Sequence, residues 1–265
     1  MEQLDCTEKD KERTRKNREK LLQNRNLLLW YKKLYQRQFA SVSNLDKKKV
    51  LEIGSGTSPL KVFYSNIMTS DVLKLDYLDY IFDCHDIDKF DLIPDGSLDV
   101  ITMTNVLHHL KAPVTFLINA SQKVKPGGKV ILAEPYFSAI STLIYKHVHP
   151  EPVRFDINNP VLEEVRGPLT SANIALPYLI YFSDRKWNDQ LVLYYDFSIK
   201  SARHYTSLAY MFTGGISKSF PVPALIYRLI LAADTFWADY LPKIFSSFFI
   251  LEMTKKRNRG YGNKT

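Results

Sequence analysis

The sequence predicts an α/β protein built on a parallel sheet, and three observations carry that expectation. Five short apolar runs follow one another through the middle of the chain: "KVLEI" (49–53), "NIMTSD" (66–71), "YIFDC" (80–84), "LDVITMTN" (98–105) and "KVILAEPY" (129–136). Turn formers lie between them, "PDGS" at 94–97 and "PGG" at 126–128, and "PVTFLINASQKV" (113–124) has helical apolar spacing. Strands alternating with helices favour parallel pairing, because only a parallel connection needs a crossover segment. The first run ends in Glu52-Ile53-Gly54-Ser55-Gly56. A strand followed by Gly-x-Gly is a tight turn that lets a ligand approach the backbone.

Upstream of the sheet, residues 8–40 read as one helix. Its first half is polar, and Leu21, Leu22, Leu28, Leu29, Tyr35 and Phe39 then recur at roughly helical spacing. The net charge of +8 is concentrated here, with fourteen Lys/Arg against seven Asp/Glu in residues 1–49, and a second small cluster, "KKRNRGYGNK", lies at the C-terminus. Such patches attract RNA or an anionic membrane surface; the plainer reading is a solvated helix face and a tail. The N-terminus has no apolar h-region, and its acids argue against a transit peptide, so a cytoplasmic protein is expected. Cys6 and Cys84 lie far apart, and neither a disulfide framework nor a zinc spacing follows from them.

After residue 137 the strand–helix rhythm gives way to aromatic-rich segments. The last of them, "ALIYRLILAADTFWADYLPKIFSSFFILEM", is interrupted by Arg228, Asp234, Asp239 and Lys243. It is too charged to cross a bilayer and reads as an amphipathic helix, either packed on the core or lying at an interface. Peripheral membrane contact through 221–251 is one expectation. The chain thus divides into a basic helical arm (1–46), a nucleotide-binding core (47–137), and remaining strands plus an aromatic covering region (138–265).

For which nucleotide is the loop built? A dinucleotide fingerprint would place its third glycine at position 59, where the chain has Pro59, and no Gly-Lys-Ser/Thr follows. An acid two residues before the first glycine, with Asp71 and Asp83 ending later runs, resembles the class I S-adenosylmethionine-dependent methyltransferases over residues 48–136. That resemblance implies a Rossmann-like methyltransferase fold: a mostly parallel seven-stranded sheet flanked by helices, with an N-terminal helix and a C-terminal substrate lid. It implies S-adenosylmethionine as cofactor, held by Glu52, Gly54, Ser55, Gly56, Asp71, Asp83, Cys84 and Asn105. Glu52 would anchor the loop or the methionine amino group, Asp71 would take both ribose hydroxyls, and Asp83 with the Cys84 N–H would read the adenine. Ser58 stands where many members have a third glycine, and Asp76 competes with Asp71 for the ribose.

Methyl transfer needs an aligned nucleophile and, for a hydroxyl, a group to take its proton. His108 and His109 follow the fourth run, and His147, His149 and Glu151 follow the fifth. His109 and His149 are the candidate bases; the alternative is that these histidines only line the pocket. No further ligand cluster accompanies His147, His149 and Glu151, so no metal centre is expected. The place where amide and adenine methylases carry an Asn-Pro-Pro-Tyr-like run reads Asn105-Val106-Leu107-His108, which disfavours those substrates. "GPLTSAN", with Asn173, and "FTGGIS", with Gly214-Gly215, read as pocket loops, and the aromatics of 176–250 as a surface for a sugar face or a greasy carrier. The "HPEP" run and these loops also resemble an uncharacterised bacterial branch of the methyltransferases associated with surface-polysaccharide gene sets. The expectation is therefore methylation of an oxygen on a small molecule, sugar or lipid-linked intermediate, with no DNA partner. An RNA methyltransferase using the basic arm and a non-catalytic interaction module are the alternatives.

Overall fold

The computed structural model describes residues 2–257 apart from 166, 168, 169, 207 and 217, with side chains from residue 8 onward. Two helices, α1 (Glu2–Gln23) and α2 (Arg25–Gln38), precede the first strand. Then follow β1 (Val50–Ile53), α3 (Leu60–Phe63), β2 (Met68–Asp71), β3 (Tyr80–Ile81), β4 (Leu98–Thr104), α4 (Pro113–Lys123) and β5 (Val124–Pro135). The C-terminal half contributes α5 (Ala139–His147), α6 (Ala175–Phe182), β6 (Tyr195–Asp196), β7 (Arg203–Tyr205), α7 (Leu208–Phe212), α8 (Ala224–Tyr240), α9 (Pro242–Phe245) and β8 (Phe248–Lys255).

These strands form one sheet in the order β3-β2-β1-β4-β5-β8, with β1 to β5 parallel and β8 antiparallel to β5. β6 and β7 both pair with β8, opposite Lys255 and Thr254 in one case and Ile250 to Phe248 in the other. β5 occupies the other edge of β8, so β6 and β7 share a single strand position, broken between residues 197 and 202. The expected seven-stranded sheet is thus present with its seventh position split among the described residues.

The alternation of side chains along the strands fixes two cores. Leu51, Ile53, Ile101, Met103, Val130 and Leu132 face one side with α4 and α6, and Val50, Val100, Ile131 and Ala133 face the other with α2 and α8. The second face buries Trp30, Leu34, Tyr227 and Leu231, and the Trp30 indole donates to Thr206 Oγ1 at 2.7 Å. The N-terminal helices are therefore part of the layered structure. α1 continues past the sheet edge onto the glycine loop: the Arg18 guanidinium donates to the Ser58 carbonyl and lies 4.5 Å over the Tyr77 ring, and Arg15 pairs with Asp76 at 3.6 Å.

Two expectations need correction. The single helix expected at 8–40 is broken at Asn24, whose Oδ1 accepts from the Leu27 N–H at 3.1 Å and starts α2. Asparagine competes with helical backbone through just such local bonds, and the cap lets Leu21 and Leu27 both reach the core. The segment read as one amphipathic helix to its end turns at Pro242 and finishes as β8, buried between β5 and the β6–β7 edge. A strand covered on both faces shows a continuous apolar run with no period of two, so "FFILEM" carries no signal that separates strand from buried helix.

Candidate active site

At β1 the strand order reverses, with β2 and β3 on one side and β4 and β5 on the other. Ligands of open parallel sheets bind at such a switch point, outside the carboxyl ends of the strands. A cavity of about 1070 Å³ lies there, lined by the turns after β1, β2, β3 and β4 and closed by residues from α1, from 144–151 and from 210–220.

The β1 turn forms one end. Gly54 has φ +72°, and a Cβ there would come 2.4 Å from Val106 Cγ2; only glycine fits. A Cβ on Gly56 would meet Thr14 Cγ2 at 2.8 Å and Asp71 Oδ2 at 3.0 Å, which shows how closely α1 and the β2 end press on this loop. Asp71 accepts from Gly56 N–H through Oδ2 and from Leu73 N–H through Oδ1, both at 2.9 Å. Burial pushes its carboxyl above the ordinary range, against the pull of those N–H groups. An ionised carboxylate has about four lone-pair sites, so capacity remains for ligand hydroxyls. Asp76, the competitor, is exposed and pairs with Arg15 outside the cavity. Asp83 caps its own turn, accepting at Oδ1 from the His85 N–H at 2.9 Å and ring Nδ1 at 2.7 Å; His85 holds its carboxyl low, and Oδ2 is open. Cys84 is buried beside it, its thiol pushed far up by burial.

Glu52 and Ser55 stand behind the loop and do not line the cavity. Glu52 Oε1 accepts from Ser58 Oγ at 2.5 Å, and Oε2 is buried with no hydrogen-bond partner. Burial raises its carboxyl to about 7, against the opposing bonds of Ser58 and Ser55 and the charge of Arg18. Ser58 thus has a positive use: its Oγ also accepts from Leu60 N–H and pairs with Tyr35 OH, each at 3.1 Å. Ser55 Oγ accepts from Ser70 N–H at 3.2 Å, tying β1 to β2. Asn105 is left-handed at φ +56°, lines the cavity, and keeps a buried Oδ1 without a partner. Glycine cradle, open carboxylate lone pairs and the orphaned Asn105 oxygen suit a polar ligand with several hydroxyl and amino donors.

The other end is a charge cluster. Glu134, near the end of β5 and fully buried, accepts at Oε1 from Val106 N–H (2.8 Å) and Leu107 N–H (2.7 Å) and at Oε2 from His108 Nδ1–H (2.8 Å). His108 Nε2 then faces Glu151 Oε2 at 3.4 Å. Burial opposes charging His108, but the hydrogen bond and charge of Glu134, with Glu151 behind, prevail and hold it up at about 9. Burial also works to raise Glu151; the His108 bond and charge, with His109 and His149, bring it down to about 2. His109 donates Nδ1–H to the Ser171 carbonyl at 3.0 Å, and its Nε2 lies 3.8 Å from Glu151 Oε1. Burial first, and the His108 charge second, depress it to about 4, so it is neutral near pH 7. His149, lowered chiefly by burial, accepts the Glu151 N–H at Nδ1 (3.3 Å), which commits that lone pair.

The structure therefore brings His109, His149, Asp71, Asp83, Cys84, Asn105, Gly54 and Gly56 to one cavity and leaves Glu52 and Ser55 behind its wall. Glu134 and the pairing of His108 with Glu151 were missed. The only signal is an acid near the end of the buried run "KVILAEPY". Asn173 is no pocket residue: it clamps Arg154, accepting its N–H and donating to its carbonyl, both at 2.9 Å. Gly214 and Gly215 do line the cavity. Of the aromatics expected to meet a sugar, Tyr178 and Phe182 stack on each other, with Tyr136 edge-on to both and Phe249 against Phe182, inside the first core.

Glycine loop, carboxylates at the strand ends and a switch-point cavity mark an α/β protein with a Rossmann-like ligand site, and comparison with known families gives the class. Residues 17–160, more than half of the chain, match the family described as "Methyltransferase domain", and the chain belongs to it. Among solved structures, it is similar to an S-adenosylmethionine-dependent methyltransferase from Archaeoglobus fulgidus (14% identity, 85% of this chain and 94% of that one, TM-score 0.46). It is also similar to a chain in the complex of the Haloferax volcanii Trm112 methyltransferase activator with a putative methyltransferase (11%, 96% and 97%, TM-score 0.49). A putative S-adenosylmethionine-dependent methyltransferase from Listeria monocytogenes is similar at 11% identity (84% and 98%, TM-score 0.45). No curated protein matches the sequence.

Proposed function

We propose that this chain transfers a methyl group from S-adenosylmethionine to an oxygen of a small molecule, sugar or lipid-linked intermediate. The cofactor is S-adenosylmethionine, which supplies an electrophilic methyl carbon when bound. Asp71 would hold the ribose hydroxyls, Asp83 and the Cys84 N–H the adenine, and the Gly54–Gly56 backbone and Asn105 the amino-acid end. The observation that carries the oxygen acceptor is the convergence of His109 Nε2 and the Glu151 carboxylate at the far end of the same cavity. With Nδ1–H given to Ser171, the neutral His109 presents a lone pair that accepts a hydroxyl hydrogen. His149, whose Nδ1 is engaged, would position Glu151.

A lipid-linked acceptor gains support from α8. Its buried side is Tyr227, Leu231, Asp234 and Ala238, while Leu225, Leu229, Phe236, Trp237 and Tyr240 are exposed. Asp239 is held by two Arg37 bonds of 2.6 Å, which offsets its charge, and Lys218, Arg228 and Lys243 are exposed nearby in sequence. No helix among the described residues is long and apolar enough to cross a membrane. An exposed aromatic face with cations suits the surface of an anionic bilayer.

Calorimetry with S-adenosylmethionine and mass analysis of acceptors test the reading. The expected result is cofactor binding and a methyl ether on a hydroxyl acceptor. No binding by the unaltered chain, or methylation confined to nitrogen or carbon, would sink it. Sedimentation with phosphatidylglycerol vesicles tests the α8 surface, and complete recovery in the supernatant would refute that part alone.

A further inference from the structure

Three potential metal ligands, two imidazole nitrogens and a carboxylate, meet at the far end of the cavity. His109 Nδ1 carries its hydrogen, because it bonds the Ser171 carbonyl, so neutral His109 directs an Nε2 lone pair at the Glu151 carboxylate 3.8 Å away. His108 gives its Nδ1 hydrogen to Glu134, and its Nε2 hydrogen points to the other Glu151 oxygen at 3.4 Å. The His108–Glu151 pair shares a proton, which a divalent ion entering among the three donor atoms would displace, since metal ligands bind deprotonated. We propose that His108 Nε2, His109 Nε2 and the Glu151 carboxylate form a site for a divalent first-row transition-metal ion of the zinc class.

The geometry supports it. Ligands at about 2.0–2.1 Å from a tetrahedral ion lie about 3.3 Å from one another. The two observed His-to-Glu distances, 3.4 and 3.8 Å, exceed that edge by at most about half an ångström, and the three donor atoms lie within 4.8 Å of one another. Each histidine already has the outer hydrogen bond that ligating histidines characteristically make, one to a buried carboxylate and one to a backbone carbonyl. His108 is nearly fully buried, its ring lies 4.3 Å from that of His109, and both reach the site from one short turn after β4. Two histidines and one carboxylate leave a fourth position, and all three residues line the cavity.

This inference rests on the oxygen-acceptor reading and sharpens it. The ligand for the fourth position is a hydroxyl oxygen of the acceptor, whose acidity a bound cation increases. His109 is then a metal ligand rather than a base, and the hydroxyl hydrogen leaves to solvent. Expectation from sequence alone was no metal centre, because the ligands come from 108–109 and 151 and share no recognisable spacing.

The chain, stripped with chelator, is titrated with Zn²⁺ by calorimetry and with Co²⁺ by visible absorption. One equivalent is expected to bind, and His109→Gln and Glu151→Gln should each weaken binding at least about 10-fold. The Co²⁺ spectrum of the unaltered chain should show the d–d bands of a four-coordinate N/O site with no thiolate charge-transfer band. That spectrum decides the matter even where a variant folds poorly. A thiolate band would move the ion to Asp83, Cys84 and His85, the other group of potential ligands among the described residues, and overturn the proposal. Absence of binding, or unchanged affinity in both variants, would overturn it equally. S-adenosylmethionine titrations on the same samples keep the readings apart: cofactor binding without Zn²⁺ binding refutes the ion alone, and Zn²⁺ binding without cofactor binding refutes the methyl donor alone.

Discussion

The two ends of the cavity are built in different ways. At the cofactor end each functional carboxylate sits at or just past the end of its strand and meets backbone N–H groups: Asp71 reaches Leu73 two residues on and Gly56 of the neighbouring strand's turn, and Asp83 reaches His85. At the acceptor end side chains depend on one another. Glu134 from β5 holds the turn after β4 and its His108, and His108 and His109 face Glu151 from beyond α5. The first construction tolerates loss of one member locally. The second is a chain of buried charges, in which removing one partner leaves another uncompensated.

Removing Glu134 should therefore have the largest effect. Glu134→Ala deprives His108 and two buried N–H groups of their acceptor, and breaking a buried charged pair from one side costs about 3–5 kcal/mol. Denaturant titration reads this as a large fall in the unfolding midpoint, and Glu134→Gln, which keeps a carbonyl oxygen, should recover part of it. Asp71→Ala comes next and separates the ends. It should weaken S-adenosylmethionine binding roughly 100-fold or more, the scale of two charge-assisted hydrogen bonds at about 1.5–3 kcal/mol each. Glu151→Gln should leave that affinity within a few-fold by the same calorimetry. If both substitutions weaken the cofactor alike, the two ends are one site.

Legibility in the sequence follows the same divide. Glu52, Asp71 and Asp83 stand out because each interrupts or ends an apolar run, and the parallel order of β1 to β5 follows from strands alternating with helices. Glu134 also lies near the end of such a run, yet what it holds is twenty-six residues upstream, and no local pattern announces that partner. Asn173 misleads for a related reason: an exposed-looking amide in "SAN" spends its hydrogen bonds on Arg154 across the fold. β8 is unreadable as a strand because it is covered on both faces, and α1 conceals its role because the contacts of Arg18 and Thr14 with the glycine loop are tertiary. Periodicity reports which face an element buries, not what it is buried against.

Glu52 gives a pH test that concerns the cofactor end alone. Its folded-state carboxyl titrates near 7, above its ordinary value of 4.5, because burial disfavours the charged form. Between those values the folded chain holds a proton that the unfolded chain has lost. The contribution to stability is therefore full below about pH 4.5 and is lost as pH rises through 7. A shift of that size corresponds to about 3 kcal/mol. Denaturation midpoints from pH 5 to 8 should show this slope, and Glu52→Gln should remove it while leaving the acceptor cluster in place. An unchanged slope in that variant would mean that another group titrates there and that the folded chain does not hold Glu52 protonated.

The smallest expected effect probes what closes the cavity over both ends. Asn24 makes two bonds with different consequences: Oδ1 caps α2 at Leu27, and Nδ2 donates to the Thr213 carbonyl at 2.9 Å, tying the N-terminal helices to the 210–220 segment. Asn24→Asp keeps the capping oxygen and loses the donor; Asn24→Ala loses both. Loss of a cap costs about 1 kcal/mol, and the aspartate keeps the cap but sets a buried carboxylate against the Thr213 carbonyl, so both variants should lower the unfolding midpoint. Both variants should speed dissociation of S-adenosylmethionine a few-fold in stopped-flow measurements, because this asparagine ties the N-terminal helices, whose Thr14 lines the cavity, to the turn that carries Gly215, which lines it too. Should the aspartate variant release cofactor at the unaltered rate, α1 and the 210–220 segment close the cavity independently, and the contrast between a self-contained cofactor end and an interdependent acceptor end extends to the lid.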